Sequence, residues 1–244
     1  MNIKRHIPNL LTLSNLICGT LIIINAFNLQ FVNVVWLAAA ALVFDFLDGT
    51  AARLLKVSSP MGKELDSFAD MVSFGVAPAL VLYCYWQNEM FNYDSFTGWF
   101  ANKAYLTDML PYVPLLIAAF AGYRLAKFNI SEQSNDYFSG LPTPALALAC
   151  FALPLAAEQF ELANIWLNHP IFIILFCAIG GFLLVSNIKL FSIKVGSKNK
   201  PLNMLRVAML ITCAVLIVWL HFFGAFLCLF VFIIYSLGAQ KIIV

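Results

Sequence analysis

The stretch FVNVVWLAAAALVFDFLDGTAARLLKVSSPMGKELDSFADMVSFGVAPALVLYCYWQ, residues 31–87, decides how the chain folds. Two apolar runs, 32–55 and 66–87, flank a turn from Lys56 to Lys63 that holds Ser58, Ser59, Pro60 and Gly62. A run of about 20 apolar residues, rising about 1.5 Å per residue, crosses a hydrocarbon core about 30 Å thick. Backbone groups in lipid find no water to bond, so such runs become helices that satisfy their own hydrogen bonds. Short alternating segments of the kind that build a transmembrane barrel are absent. The stretch reads as a helical hairpin in a membrane.

The rest of the chain continues the pattern. Of 244 residues, 62% are hydrophobic and 11% charged, against about 25% charged in a soluble domain. Eight runs read as spans: 9–29, 32–55, 66–87, 109–129, 142–159, 168–189, 203–221 and 223–241. The last two are separated only by a turn around His221-Phe222-Phe223-Gly224. The expected architecture is all-α: a polytopic helical membrane protein of about eight transmembrane helices, forming one domain over 1–244. Basic residues test that count, because short cytoplasmic loops collect Lys and Arg. With the N-terminus inside, the inner segments hold Lys4, Arg5, Arg53, Lys56, Lys63, Arg124, Lys127, Lys189, Lys194, Lys198, Lys200, Arg206 and Lys241. That is 13 of the 14 basic residues, with Lys103 alone outside.

Other features are read more blandly. A basic inner face fits an anionic membrane surface or a phosphorylated substrate and makes nucleic acid a poor partner. Cysteines 18, 84, 150, 177, 213 and 228 all lie in apolar runs without paired spacing, as small buried hydrophobes do. Lys4-Arg5 before an apolar run imitates a signal peptide, but no small-x-small cleavage site follows, so the run is expected to stay as the first span. Trp36, Trp86 and Trp99 are expected to anchor at the membrane interfaces. The three histidines have no metal-ligand partner at useful spacing and receive no role.

Acids inside membrane helices are costly and usually functional. Asp45 and Asp48, at i,i+3, share a face at the end of the second span; Asp66 and Asp70, at i,i+4, share one at the start of the third. The turn between them lets two antiparallel helices point four carboxylates into one space. Like charges so close need a positive partner, and a divalent cation with oxygen preference, Mg²⁺ or Mn²⁺, supplies it. Gly49, Ala51 and Ala52 leave the helix bare beside the acids, and Gly62 does the same at the turn, so a flat base or a phosphate can approach. Arg53 offers a planar donor fork suited to a pyrophosphate. This inventory matches phosphoryl transfer, which is mostly positioning and charge neutralisation. A divalent-cation transporter is the rival reading. Transport acids, however, sit at midplane helix breaks, not at one face beside a glycine cradle.

The segment DFLDGTAARLLKVSSPMGKELDSFAD, residues 45–70, reads as D-x2-D-G-x2-A-R-x8-G-x3-D-x3-D. It resembles the signature of the CDP-alcohol phosphotransferase family, with all eight fixed positions filled. The resemblance implies that Asp45, Asp48, Asp66 and Asp70 hold two metal ions that bind the pyrophosphate of a CDP-linked lipid. It implies further that Asp48, Gly49, Ala52 and Gly62 receive the nucleotide, that Arg53 lies near the phosphates, and that Asp70 is the general base toward the acceptor hydroxyl. It also implies a homodimer and a six-helix catalytic core over about 1–189, with two further spans at about 203–241.

The acceptor is read from other segments. IPNLLTLSNLICG at 7–19, ELDSFADMVSFGVAPAL at 64–80, RLAKFN at 124–129 and GLPTPALA at 140–147 together resemble the serine-using branch of that family, the phosphatidylserine synthases. The implied substrates are CDP-diacylglycerol and L-serine, among membrane lipids, in a prokaryotic cytoplasmic membrane with the site facing the cytoplasm. From the residues themselves, Arg124 and Lys127, with Asn129 beside them, can meet a carboxylate at the depth of the acids. Helix-end anchoring at the headgroups is the simpler alternative. Glycerol 3-phosphate and inositol or its phosphate are the other acceptors to weigh. Ser73 reads as a packing serine one turn beyond Asp70.

Overall fold

A computed structural model describes residues 6–57, 59–92, 109–130, 137–191 and 200–240. Lys4, Arg5, Ser58, Trp99, Lys103, the 131–136 loop, Lys194, Lys198 and Lys241 lie outside the described residues. The chain forms two compact units, Met1–Gly122 and Tyr123–Val244.

In the first unit, helix α1 (His6–Phe27) packs against α2 (Phe31–Leu55), α3 (Pro60–Asp70) and α4 (Ala77–Asn92). The buried face of α1 is small or polar, with Pro8, Thr12, Asn15, Cys18, Gly19, Ile22 and Ala26. Leu10, Leu13, Ile17, Leu21 and Ile24 are exposed. That inversion of the soluble pattern is what lipid favours: bulky apolar groups outward, and small residues where backbones approach. At Gly19 an added Cβ would lie 2.8 Å from Ser73 Cα.

Capping sets the hairpin reversal. Lys56 takes the left-handed conformation (φ 54°) and closes α2, its N–H bonding the Ala52 and Arg53 carbonyls. Ser59 then caps α3, accepting from the Gly62 N–H at 3.0 Å, with Pro60 in the first helical turn. The third span therefore begins at Pro60, before the apolar run at 66, because the Ser-Pro start signal acts ahead of hydropathy. Between α3 and α4 the helix widens into a π-helical stretch, Met71–Val76. Pro78 explains it: without an N–H, and with a ring that collides with the carbonyl four residues back, it cannot follow an ordinary turn. The Ala77 N–H instead reaches the Val72 carbonyl, five residues back.

Trp86 departs from the sequence reading. It is fully buried, on the face that also buries Ala79 and Leu82, whereas Trp36 is 73% exposed. Proximity to a span end does not report which face of the helix a ring occupies.

The second unit holds most of the last turns of α5 (Leu115–Ile130), then β1 (Tyr137–Ser139), α6 (Thr143–Gln159), α7 (Glu161–Leu167), α8 (Pro170–Val185), β2 (Lys189–Phe191) and α9 (Lys200–Gly238). β1 and β2 form a short antiparallel pair with Phe138 opposite Leu190, which nothing in the sequence announced. α7 and α8 meet at a 67° bend, where the His169 ring accepts from the Ile171 N–H and Pro170 opens α8. α9 breaks at His221 (φ 46°, ψ −119°), the turn expected there. A side chain at Gly224 would run into the Leu216 carbonyl, so glycine is required where the two legs meet.

Among the described residues, five helices are individually long and apolar enough to cross a membrane, or six if the bent pair counts as one span. With Thr143–Gln159, shorter at 17 residues, and with α9 divided at His221, each of the eight expected runs is helical. The all-α membrane architecture stands.

Candidate active site in the acidic hairpin

The caps that reverse the chain also aim its acids. Asp45 and Asp48 lie in the last turns of α2, Asp66 and Asp70 on one face of α3. Asp45, Asp48 and Asp66 each offer a carboxylate oxygen, and these all lie within 4.8 Å of one another. Asp70 adds the fourth carboxyl, one turn on from Asp66 and 3.5 Å from Asn15 Nδ2 through its Oδ1. Asp48 is buried and Thr12 Oγ1 lies 2.7 Å from its Oδ2; the same hydroxyl is 3.0 Å from the Pro8 carbonyl and shares one proton between them. Asp66 Oδ1 is buried without a hydrogen-bond partner.

An unpaired, buried carboxylate oxygen among three other acids is unfavourable by desolvation and by repulsion. A cation among the carboxylates would relieve both. The donor set is all oxygen, as hard divalent ions require, so the residues fit a metal of the Mg²⁺ or Mn²⁺ kind.

Beside the acids lies an open cleft of ≈ 210 Å³, bounded by Asn9, Thr12, Gly49, Ala52 and Gly62, with Asp48 and Asp66 on its wall. The two glycines differ in what they do. A Cβ at Gly62 would press on Ser59 Oγ at 3.2 Å and Asn9 Oδ1 at 3.3 Å, so the turn itself uses that smallness. A Cβ at Gly49 would meet nothing within 4 Å. Arg53 is exposed, its Nη2 3.3 Å from Thr50 Oγ1, and it is not among the residues that bound the cleft.

The residues proposed for the acceptor belong to the second unit. Arg124 is buried, donates to Thr143 Oγ1 and lies over the Phe128 ring, tying α5 to the start of α6. Lys127 Nζ donates to the Val185 carbonyl at 3.2 Å and to Asn187 Oδ1 at 2.7 Å, which places its charge at the C-terminus of α8. Asn129 is half-buried on the same helix. Ser73 donates to the Asn15 carbonyl at 2.9 Å, the packing role expected of it.

The contribution of α1 was not read from its residue chemistry. Asn9, Thr12 and Asn15 sit three apart in an apolar span, and polar side chains at helical spacing there were the available signal.

The sequence as a whole is similar to known proteins. Residues 5–179 match the family model described as CDP-alcohol phosphatidyltransferase. The chain is 35% identical over 184 residues to a CDP-diacylglycerol–serine O-phosphatidyltransferase of Helicobacter pylori, covering 75% of this chain and 70% of that protein. It is 34% identical over 162 residues to the enzyme of that name from Bacillus subtilis, covering 65% of this chain and 80% of the relative. To the one from Methanocaldococcus jannaschii it is 34% identical over 184 residues, covering 75% and 72%.

Proposed function

The chain belongs to the CDP-alcohol phosphatidyltransferase family, and on that premise we propose that it transfers the phosphatidyl group of CDP-diacylglycerol to L-serine, releasing CMP. The observation that carries the chemistry is the carboxylate cluster opening onto a cleft floored by Gly49. The choice of serine is supported by the names of the relatives and by the 7–19, 64–80, 124–129 and 140–147 segments.

In this reading Asp45, Asp48, Asp66 and Asp70 hold two divalent ions. Bound there, the ions would neutralise the pyrophosphate and the charge that gathers on departing CMP. Gly49 and Ala52 let the nucleotide approach the α2 backbone, and Thr12 holds Asp48 in place. Arg53, exposed at the end of α2, meets the phosphates from the water side. Asp70 accepts the proton of the serine hydroxyl as its oxygen bonds to phosphorus and the phosphorus–oxygen bond to CMP breaks. Arg124 is the proposed partner of the serine carboxylate, with Lys127 and Asn129 beside it. The protein acts as a homodimer in the membrane, with the acidic hairpin facing the cytoplasm.

The deciding experiment incubates the purified protein in detergent with CDP-diacylglycerol, Mn²⁺ and single alcohols, and measures CMP. Serine should support release, ethanolamine poorly, since it lacks the carboxylate, and chelator should stop it. Release with glycerol 3-phosphate or inositol but not serine overturns the acceptor. No release with any alcohol, together with metal flux across vesicles, overturns the enzyme.

Gly49 supplies a sharper test of the cleft. Gly49→Ala should hold or slightly raise the thermal midpoint, because its Cβ enters open space and alanine suits a helix interior better than glycine. It should nevertheless raise the CDP-diacylglycerol KM by about tenfold, since that space is where the nucleotide goes. An unchanged KM would place the nucleotide elsewhere.

A further inference from the structure

Asn15 is fully buried in an apolar span, where an amide must find partners for both its ends. Its nitrogen has one: Nδ2 lies 3.5 Å from Asp70 Oδ1. The opposite orientation would set two acceptors face to face, so the nitrogen belongs on the carboxylate. Its oxygen has none, for Oδ1 is buried with no hydrogen-bond partner. The backbone is fixed as well. The Asn15 carbonyl accepts from Ser73 Oγ at 2.9 Å, and one turn on, Gly19 lets α1 close on Ser73. α1 thus grips Asp70 by one hydrogen bond, and Ser73 in the π-helical stretch by a second and by the close approach at Gly19.

A buried amide oxygen left unpaired is unfavourable. Oxygen and nitrogen of one amide are adjacent, so this acceptor stands within one amide width of the Asp70 contact. An alcohol that gives its proton to Asp70 must bring its donor groups into that neighbourhood.

We propose that Asn15 is the acceptor-side positioning residue: its nitrogen orients the Asp70 carboxylate, and its oxygen accepts a hydrogen bond from the hydroxyl or ammonium of the alcohol substrate. The inference rests on Asp70 being the general base. It assigns Asn15 no part in holding CDP-lipid, and that separation is what the test reads.

The test uses the full chain in detergent. Asn15→Leu keeps the branching of the side chain, at a somewhat larger volume, and removes both polar atoms. Turnover with serine should fall about 10–100-fold, the loss typical of a residue that orients a reacting group. Binding of CDP-diacylglycerol with Mn²⁺, measured in the absence of serine, should stay within about threefold of wild type. Turnover within threefold of wild type overturns the proposal, as does loss of donor binding in parallel with turnover. Should Asn15→Leu fail to fold, isosteric Asn15→Asp decides by the same two readings, because a carboxylate there cannot donate to Asp70. Asp70→Asn separates the levels. If it keeps turnover, the base assignment itself is wrong; if it is inactive while Asn15 variants are active, only the role of Asn15 falls.

Discussion

Asp66→Asn is expected to abolish turnover while leaving the fold at least as stable as before. The substitution keeps shape and removes one charge from a group whose oxygens lie within 4.8 Å of one another. It also turns one side of a buried, unpaired carboxyl into an amide that can donate to Asp45 or Asp48. Without metal, repulsion therefore falls and the thermal midpoint should hold or rise. Activity moves the other way, because a lost ligand removes transition-state charge stabilisation of several kcal/mol, a loss on the order of 10³-fold or more. Asp45→Asn and Asp48→Asn should behave alike. Thermal shift with Mn²⁺ gives the independent reading: a ligand that binds only the native state raises its stability, so Mn²⁺ should raise the midpoint of wild type and not that of the variants. A variant that still responds to Mn²⁺ and turns over would remove these carboxylates from the mechanism.

Gly140→Ala should damage the fold of the second unit without touching any reacting group. Gly140 has φ 77°, a conformation in which a Cβ costs about 1–2 kcal/mol. Three backbone carbonyls, those of Leu184, Ser186 and Leu183, would lie 2.6, 2.8 and 3.1 Å from that Cβ. None is the end of a flexible side chain. The Gly140 N–H bonds the Ile188 carbonyl and the Leu141 N–H the Leu183 carbonyl, each at 2.9 Å, so the loop cannot withdraw. A destabilisation of about 3 kcal/mol or more is expected, read as a lower thermal midpoint and earlier aggregation in detergent. Gly49→Ala is its control, since open space surrounds that position. Equal midpoints for the two variants would show that the 140–141 turn is not held as described.

The contrast between these glycines shows where sequence reading stops. Four aspartates in apolar runs announce themselves, because lipid makes any unpaired charge there expensive and the i,i+3 and i,i+4 spacings fix their faces. Gly49 and Gly62 sit in the same motif and look alike, yet one borders open space and the other fills a turn. Hydropathy placed the spans but started the third at 66, since it cannot see that Ser59 and Pro60 begin a helix among polar residues. It gave no sign of the three-residue strands, too short to show a period, nor of the face on which Trp86 lies. Asn15 was visible as a letter inside a quoted segment. Its importance came only with the neighbours that α1 brings to it.

The π-helical stretch Met71–Val76 also has a consequence for chain length. A π turn is an ordinary helix carrying one surplus residue, which leaves the flanking turns in the same angular phase. Removing a residue there and replacing Pro78 together would restore an unbroken α-helix, with Asp66 and Asp70 still facing as they do. Between Asp66 and Asp70, by contrast, a single deletion would rotate one acid about 100° from the other. The chain thus has a slack of one residue immediately after the last acid of the site.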